Sequence, residues 1–383
     1  MQTRRSIHVL FEHGDDRQPF GSAQIRLLRP LFYPAVADRL RVTADTDYLG
    51  QAVDGVVIDR LWKPGFASTE ARELVAKIRR AGARLIYALD DNFLDMGLED
   101  RDWKSTEERR WIVRYLLRQA DGIMVPTEFL RQRLLGFNPN VVVVPHAVDE
   151  RLLGGDPSVR TTGELPGVPG SEIPRRSKGG GGFPSGGSRV DPEWVTIGYM
   201  GTFTHDDDFA MVLPALQAVA DRYGDRVQIQ ILGVLSRAEK TDALGGLKAK
   251  VIVPPVHKAQ YPEFMRWFTG EFRWDIAISP LRESAFNQCK SDIKFLDYCA
   301  LGAAGVYSRV PAYLSTVKHL ETGWLAENSV DAWLAALTQL IDDAGLRNSI
   351  GRNAARYLRE HRILARRWMD WPEAFATLER GSG

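Results

Sequence analysis

Residues 279–302 read SPLRESAFNQCKSDIKFLDYCALG, and they are the most informative part of the 383-residue chain. They begin at the end of a short apolar run, residues 275–279, that is typical of a buried strand. Ser291 or Asp292 can cap a helix that starts there, and Gly302 can end it. The segment therefore predicts a strand, a loop and then a helix, which is the repeating unit of a parallel α/β sheet.

Two lysines lie at the start of this helix. Lys290 precedes it and Lys294 follows one turn later, so both side chains fall on one side. The free N–H groups and the positive dipole end of a helix N-terminus bind anions, and Asp297 can accept hydrogen bonds from vicinal hydroxyls such as those of ribose. The group suits a nucleoside diphosphate, although a solvated amphipathic helix with a Lys–Asp pair has the same spacing.

The rest of the chain repeats this alternation of apolar runs and amphipathic segments. Predicted strands cover residues 7–11, 55–58, 84–89, 122–125, 141–144, 195–200, 227–232, 250–253, 275–279 and 305–307. Predicted helices cover residues 22–36, 68–81, 107–119, 128–135, 209–223, 261–268, 292–301, 330–344, 346–361 and 364–378. This pattern predicts two doubly wound α/β domains, with ligands bound beyond the carboxyl ends of the strands in a cleft between them.

A change of composition separates the two halves. Residues 154–192 are rich in Gly, Pro and Ser, include four consecutive glycines at 179–182, and contain almost no large apolar residues. Such a segment cannot bury enough surface to offset its ordering entropy. We therefore predict an N-terminal domain at residues 1–153, a flexible linker insertion at 154–192, a C-terminal domain at 193–363 and a final helical segment at 364–383.

Two further loops follow predicted strands. After residues 195–200, Gly201 allows a close backbone approach, Asp208 can cap the next helix, and His205 lies where a ligand would bind. For His205 taken by itself, an ordinary loop with a surface histidine is the favoured explanation. The polar residues 14–21, after the first strand, lead into a helix opening at Gly21 and can receive an anionic or hydroxyl-rich ligand.

Asp90 and Asp91 end the predicted strand at residues 84–89. Adjacent carboxylates in this position can bind a metal, act as a base or hold sugar hydroxyls, and they can also simply cap a turn. No further carboxylate cluster in the sequence completes a metal site, so we predict none.

The bulk composition limits the classes of partner. The net charge is +1, and Arg26 and Arg29 beside aromatic residues do not amount to a nucleic-acid patch, so no nucleic-acid partner is predicted. The two cysteines are too few for a disulfide framework and fit a reducing, cytoplasmic compartment. No apolar stretch approaches the roughly 20 residues that span a bilayer.

Arginines recur at helical spacing within residues 107–119, at Arg110, Arg114 and Arg118, beside Trp111 and Tyr115. Such a basic amphipathic helix can rest on an anionic membrane face, which adds peripheral contact through the N-terminal domain to the expected partners. A helix packed on its own sheet with solvated arginines is the alternative.

Taken together, these segments resemble GT-B-fold glycosyltransferases of the "group 1", family 4 type. Residues 290–306 are similar to the donor-site helix of that family. Weaker similarities lie at residues 21–24, 143–149, 198–201 and 319–325. The resemblance implies two Rossmann-like domains facing across a cleft, a donor held by the second domain, and a last helix that crosses back onto the first.

The resemblance also implies roles for individual residues. Lys290 and Lys294 would neutralise the donor diphosphate and stabilise it as the leaving group, and Asp297 stands where a family glutamate contacts the ribose. The family's first glutamate falls at Cys289. Other donor contacts are expected at Gly201, Thr202, His205 and Ser291. The acceptor would bind near Gly21, Ser22, Arg26, Asp90 and Asp91.

The expected function is transfer of a hexosyl or deoxyhexosyl group from a nucleotide-diphosphate sugar to a glycan or lipid-linked acceptor in bacterial polysaccharide biosynthesis. Family members usually retain the anomeric configuration and need no bound metal, so no cofactor is expected besides the nucleotide-sugar co-substrate. The alternatives are a nucleotide-sugar epimerase of the same architecture and a non-catalytic sugar-nucleotide-binding subunit of a biosynthetic complex.

Overall fold

The computed structural model describes residues 4–95, 107–153, 194–201, 206–233, 244 and 246–381. These residues contain two six-stranded parallel sheets. Apolar clusters cover both faces of each sheet, which confirms the predicted pair of doubly wound α/β units. The predicted linker, residues 154–192, lies outside the described residues, and the domain boundaries drawn around it stay predictions.

The first sheet has the strand order β2-β1-β3-β4-β5-β6. Its strands are β1 (Arg5–Leu10), β2 (Leu40–Asp45), β3 (Gly55–Asp59), β4 (Arg84–Ala88), β5 (Gly122–Val125) and β6 (Val141–Val143). The chain runs from β1 to one edge and returns to β3 on the other side of β1. The topological switch point of this sheet therefore lies between β1 and β3, where a ligand crevice is expected.

The second sheet has the order β12-β11-β10-β7-β8-β9. Its strands are β7 (Val195–Gly201), β8 (Val227–Gly233), β9 (Ala249–Ile252), β10 (Ile276–Ser279), β11 (Ala304–Ser308) and β12 (Trp324–Ala326). The order reverses between β7 and β10, so the loops that follow these two strands flank its switch point. Every residue of β10 and β11 is buried, as a central parallel strand requires.

Helices connect the strands within each unit. In the first unit they are α1 (Gly21–Ala23), α2 (Arg29–Leu31), α3 (Ser68–Arg80), α4 (Glu107–Gln119) and α5 (Glu128–Leu134). The second unit has α6 (Asp206–Tyr223), α7 (Tyr261–Glu271), α8 (Ile293–Leu301), α9 (Pro311–Leu314), α10 (Val330–Asp342) and α11 (Ala344–His361). The chain ends with α12 (Leu364–Arg367) and α13 (Asp370–Arg380). No helix of the described residues is both long and apolar enough to cross a membrane.

The segment predicted as one helix at residues 22–36 is irregular. A π-helical turn, Gln24–Leu28, joins α1 to α2, and a 3₁₀ helix, Pro34–Asp38, follows. The reason is that Pro30 has no N–H to donate to the carbonyl of Arg26, so a regular α-helix cannot continue. The prediction of a single helix was therefore wrong here, and Arg26 lies in the π turn.

Two polar residues near helix starts, Thr127 and Asp208, have different roles. Thr127 caps α5, because its Oγ1 accepts a hydrogen bond from the N–H of Leu130 at 3.2 Å. The predicted cap at Asp208 is wrong, because Asp208 lies inside α6. Its Oδ1 accepts instead from the backbone N–H of Arg282 at 2.8 Å, which holds the loop after β10.

The last helix returns to the first unit, as the resemblance implied. Trp371, Phe375 and Leu378 of α13 pack in the apolar cluster that covers one face of the first sheet. The returning chain pairs with the outgoing one: the N–H of Val148 donates to the carbonyl of Arg362 at 2.8 Å, and the N–H of Leu364 donates to the carbonyl of Val148 at 2.9 Å. The two connections between the units therefore run side by side.

Helix α4 packs on its own sheet. Its apolar side, which includes Ile112 and Leu116, is buried in the first unit's core. Arg114 and Arg118 are exposed on the opposite side. The packed arrangement that was one of the two interpretations of this helix is therefore present, and membrane contact by the arginine side stays a prediction.

Candidate active site

A cavity of about 360 Å³ lies between the carboxyl ends of the two sheets. One wall comes from loops after β1, β3, β4 and β6, and the other mainly from the loop after β10 and the start of α8. Its lining is Ser22, Ile25, Arg26, Arg60, Asp90, Asp91, His146, Ser279, Pro280, Leu281, Lys290, Ser291, Ile293, Lys294 and Tyr313. The cavity lies where parallel sheets bind ligands, at the carboxyl ends of their strands.

The first turn of α8 and the residues before it form the second unit's wall. Lys290, Ser291 and Lys294 all line the cavity, so the two lysines point inward as the sequence predicts. Lys290 Nζ lies 3.4 Å from Asp91 Oδ1 on the opposite wall. Gly302 ends α8 with φ of 70°, a left-handed conformation that glycine adopts without strain.

Lys294 is the more desolvated of the two lysines. Burial lowers the pKa of its ammonium group to about 8, and Lys290 contributes to the decrease while Asp208 and Asp297 oppose it. Its Nζ lies 5.2 Å from the centre of the Tyr199 ring. A poorly hydrated ammonium group with no strong ion pair of its own gains most from an incoming anion, because little water has to be removed from it.

Asp297 lies one turn deeper than the lysines and does not line the cavity. Burial raises the pKa of its carboxyl group to about 7, with Lys294 opposing the shift. Its Oδ1 is buried and accepts no hydrogen bond from the described residues. The carboxyl group next to Lys294 can therefore accept a further hydrogen bond. Its contact with a ribose stays a prediction.

The other predicted donor contacts cannot all be compared with the structure. Thr202 and His205 lie outside the described residues. Gly201 ends β7 and does not line the cavity. A Cβ atom on Gly201 would come within 2.4 Å of the Tyr199 hydroxyl oxygen, so this position needs glycine for packing, whatever its role toward a ligand.

An ion-pair network forms the first unit's wall. Arg26 pairs with the buried Asp59, and its Nε lies 3.6 Å from Asp90 Oδ2. Arg60 Nε lies 3.3 Å from the other Asp90 oxygen, and its Nη2 lies 3.7 Å from Asp91 Oδ2. Burial opposes ionisation of Asp90, but Arg26 and Arg60 outweigh it and hold the pKa of this carboxyl group at about 2. Asp90 is therefore a fixed counter-ion and a weak base.

Asp91 is better placed than Asp90 to meet a ligand. Its side chain is 21% exposed, and it faces Lys290 across the cavity. Ser22 lies on the same wall, where its Oγ accepts a hydrogen bond from Arg60 Nη1 at 3.0 Å. Gly21 does not line the cavity. It lies against Tyr261 of the second unit, where a Cβ atom added to Gly21 would be 3.6 Å from the Cβ of Tyr261. The absence of a side chain at Gly21 therefore allows the two units to approach each other.

Sequence reasoning did not identify four residues of this wall: Glu12, Asp59, Arg60 and His146. Burial raises the pKa of Glu12 to about 7, and its carboxylate lies 3.0 Å from Arg60 Nη1. Burial also lowers the pKa of His146 to about 4, so its imidazole is neutral at pH 7. Asp59 is the last residue of β3 and Arg60 directly follows it, so the rule that ligands bind at strand ends, applied to β3, would have found both.

The loop before α8 docks on the first unit. Cys289 is buried in that unit's apolar core, with Phe286 packed against it. The Thr127 hydroxyl donates to the carbonyl of Cys289 at 2.9 Å, and the Asn92 amide lies 3.4 Å from the carbonyl of Ala285. Cys289 stands at the position of the family's first glutamate, but in this structure it serves interdomain packing and does not face the cavity.

Possible metal-ligating side chains do not cluster in the described part of the chain. There, no three His, Cys, Asp or Glu side chains are grouped so that they could hold a metal ion. The positive charges in the cavity wall come from the side chains of Arg26, Arg60, Lys290 and Lys294.

Two facing Rossmann-like units with a cationic cavity between them define the GT-B class of architecture. Residues 195–343 match the family model described as "Glycosyl transferases group 1". The sequence matches no curated protein. The resemblance to group 1 glycosyltransferases is thus confirmed over the second unit, and the match supports the glycosyltransferase class.

Solved structures show the same fold over nearly the whole chain. Sucrose-phosphate synthase from Thermosynechococcus elongatus is similar with a TM-score of 0.64 and 12% identity. The match covers 99% of this chain and 100% of the synthase chain. HepE from Anabaena, solved with UDP and glucose, is similar with a TM-score of 0.61 and 11% identity. The match covers 98% of this chain and 100% of HepE. TarM from S. aureus is similar with a TM-score of 0.55 and 12% identity. The match covers 84% of this chain but only 54% of TarM. At these identities the likeness establishes the GT-B fold.

Proposed function

We propose that this protein transfers a sugar from a nucleotide-diphosphate sugar to a hydroxyl group of an acceptor. The observation that carries the proposal is that Lys290, Lys294 and the first turn of α8 share one wall of the interdomain cavity. Negative charge develops on the diphosphate as the glycosidic bond breaks. Two preorganised ammonium groups and a helix N-terminus stabilise that charge more in the transition state than in the ground state, which accelerates the reaction.

The facing wall suits the acceptor. Asp91 and Ser22 present a carboxylate and a hydroxyl to the cavity opposite the lysines, and both can hydrogen-bond to a sugar hydroxyl. Closure of the two units around bound substrates would exclude water from the space between them, which limits hydrolysis of the donor. HepE, which shares the fold, was solved with UDP and glucose, so UDP-glucose is the first donor to test.

The finer features of the proposal come from the family resemblance. They are a glycan or lipid-linked acceptor, a role in bacterial polysaccharide biosynthesis, transfer of a hexosyl or deoxyhexosyl group, retention of the anomeric configuration, and no requirement for a bound metal. A point mutant of TarM, a protein that this chain matches over only part of its length, was solved with fondaparinux, α-GlcNAc-glycerol and UDP. We place the enzyme in the cytoplasm, with the arginine side of α4 as the surface for peripheral membrane contact.

A ligand screen tests this function. Purified protein is heated with UDP-glucose, GDP-mannose, ADP-glucose or TDP-rhamnose, and at least one is expected to raise the melting temperature by a few degrees, because a ligand that binds the native state stabilises it by mass action. The Lys290→Ala variant serves as control and should lose most of the shift. Absence of a shift with every nucleotide sugar contradicts the proposal, and consumption of a donor without any acceptor would favour the epimerase.

The pKa of Lys294 predicts how donor affinity depends on pH. Only the protonated side chain attracts the diphosphate, and burial holds its pKa at about 8. Affinity should therefore be full below that pH and fall as pH rises above it, by up to about tenfold per pH unit. Calorimetric titration between about pH 6 and pH 9.5 measures this dependence.

The Lys294→Arg variant is the matched control. An arginine stays charged over the whole range, so the decrease in affinity near pH 8 should disappear. If wild-type affinity were the same at both ends of the range, Lys294 would not carry the charge that binds the donor.

A further inference from the structure

The residue at the start of α8 does not cap the helix. Asp292 occupies the N-cap position, where an aspartate normally accepts a hydrogen bond from an N–H group of the first turn, yet its side chain makes no such bond. Arg362 binds both carboxylate oxygens instead, with Nη1 to Oδ2 at 2.7 Å and Nη2 to Oδ1 at 3.1 Å. Both side chains are about nine-tenths buried, at 10% and 9% exposure.

The same guanidinium group reaches the first unit. Its Nε and Nη2 donate to the carbonyl oxygen of His146, at 3.0 and 2.8 Å. His146 follows β6 and lines the cavity, whereas Arg362 lies in the returning connection beside Val148. Tyr357 supplies a further hydrogen-bonding contact to Arg362. One arginine thus ties the start of the lysine-bearing helix to the opposite wall of the cavity.

We propose that Arg362 is a positioning residue for the donor diphosphate, because it holds the Asp292 carboxylate away from the first turn of α8. An aspartate that capped this turn would occupy its N–H groups and place a negative charge where the diphosphate binds. With the carboxylate held by Arg362, these N–H groups and the two lysines are left for the anion. The inference rests on the proposed function, since it assumes a diphosphate at this wall.

Removal of the arginine and then of the aspartate charge tests this role. Inorganic pyrophosphate serves as the calorimetric probe, because it needs no knowledge of the base or sugar, and UDP-glucose is titrated in parallel. Arg362→Met should weaken binding at least tenfold, since the released carboxylate competes for the helix terminus. Arg362→Lys, which keeps the charge but not the planar fork, should be intermediate. The double variant Arg362→Met with Asp292→Ala, in which residue 292 has neither the charge nor a capping oxygen, should recover to within about threefold of wild type.

A merely structural role for Arg362 gives a different pattern. The double variant would then bind as weakly as Arg362→Met, and that result overturns the inference. Arg347→Met is the matched control: Arg347 is equally buried but donates to the carbonyls of Leu340 and Ile341, away from the cavity. It should lower the melting temperature without changing pyrophosphate affinity. If the wild-type protein bound neither probe, the proposed function itself would fail, and this inference with it.

Discussion

Replacing Lys294 or Lys290 with alanine is expected to lower the turnover number for sugar transfer at least tenfold. Loss of one preorganised group that stabilises developing negative charge costs about 100- to 1,000-fold in comparable sites. The Lys294 variant should be the more affected, because its ammonium group is desolvated and lies next to the helix start. Lys290 shares its charge with Asp91, at 3.4 Å, until the donor displaces that contact. Steady-state rates at saturating donor measure both effects.

The control for the lysine variants is Lys318→Ala. Lys318 is 66% exposed and pairs with Glu321 on the surface, so its loss should leave turnover unchanged. Circular dichroism should show the same secondary structure in all three variants. Near-normal turnover in both cavity variants would remove leaving-group stabilisation as the mechanism and leave the GT-B fold without an assigned chemistry.

Local sequence signals predicted the cavity wall that contains Lys290 and Lys294, because most of its parts lie within one short segment. A buried strand, a loop with Lys290 and a helix that ends at Gly302 follow each other in fewer than thirty residues of sequence. Strand and helix patterns are local, and the direction of the chain from strand to helix places the helix start at the carboxyl edge of the sheet. The order of strand, loop and helix therefore places both lysines at this edge of the sheet, and the structure decides between the two interpretations of the helix, because both lysines line the cavity.

The first unit's wall of the cavity was only partly predictable, because its parts come from four distant loops. Asp90 and Asp91 stand out as a pair, but Arg60 acquires its importance only through ion pairs with Glu12, Asp90 and Asp91. Such pairs depend on the strand order of the sheet, and that order cannot be derived from residue patterns along the chain. The ion pair between Arg362 and Asp292 joins residues 70 positions apart, so it could not be predicted from the sequence either.

Two strands, β2 and β12, were not predicted from the sequence, for a different reason. β2 (Leu40–Asp45) is an edge strand with only two buried residues, and β12 (Trp324–Ala326) has three residues in all. Neither contains the continuous apolar run that marks a central parallel strand. Hydrophobic patterning therefore missed one edge strand of each sheet, although it found the opposite edge strands, β6 and β9.

The docking of the last helix on the first sheet leads to the second large prediction, a loss of stability in Trp371→Ala. The Trp371 ring is buried in the first unit's core, and its Nε1 donates to the carbonyl of Arg26 at 2.7 Å. That carbonyl lacks its usual helical partner because Pro30 has no N–H, so the indole satisfies it. Truncation of a buried tryptophan costs about 3–5 kcal/mol of unfolding free energy, a large part of the total stability of a protein. Urea unfolding followed by circular dichroism measures the loss.

A milder variant separates the hydrogen bond from the packing. Trp371→Phe keeps an aromatic ring in the core but leaves the Arg26 carbonyl without its donor, which should cost about 1–3 kcal/mol. Because Arg26 lies in the π turn and pairs with Asp90 in the cavity wall, this variant should also lower sugar transfer more than its stability loss alone explains. Trp194→Ala, at a tryptophan that is 45% exposed, is the control and should change stability by no more than about 0.5 kcal/mol. Wild-type stability in Trp371→Ala would show that α13 does not hold the first sheet.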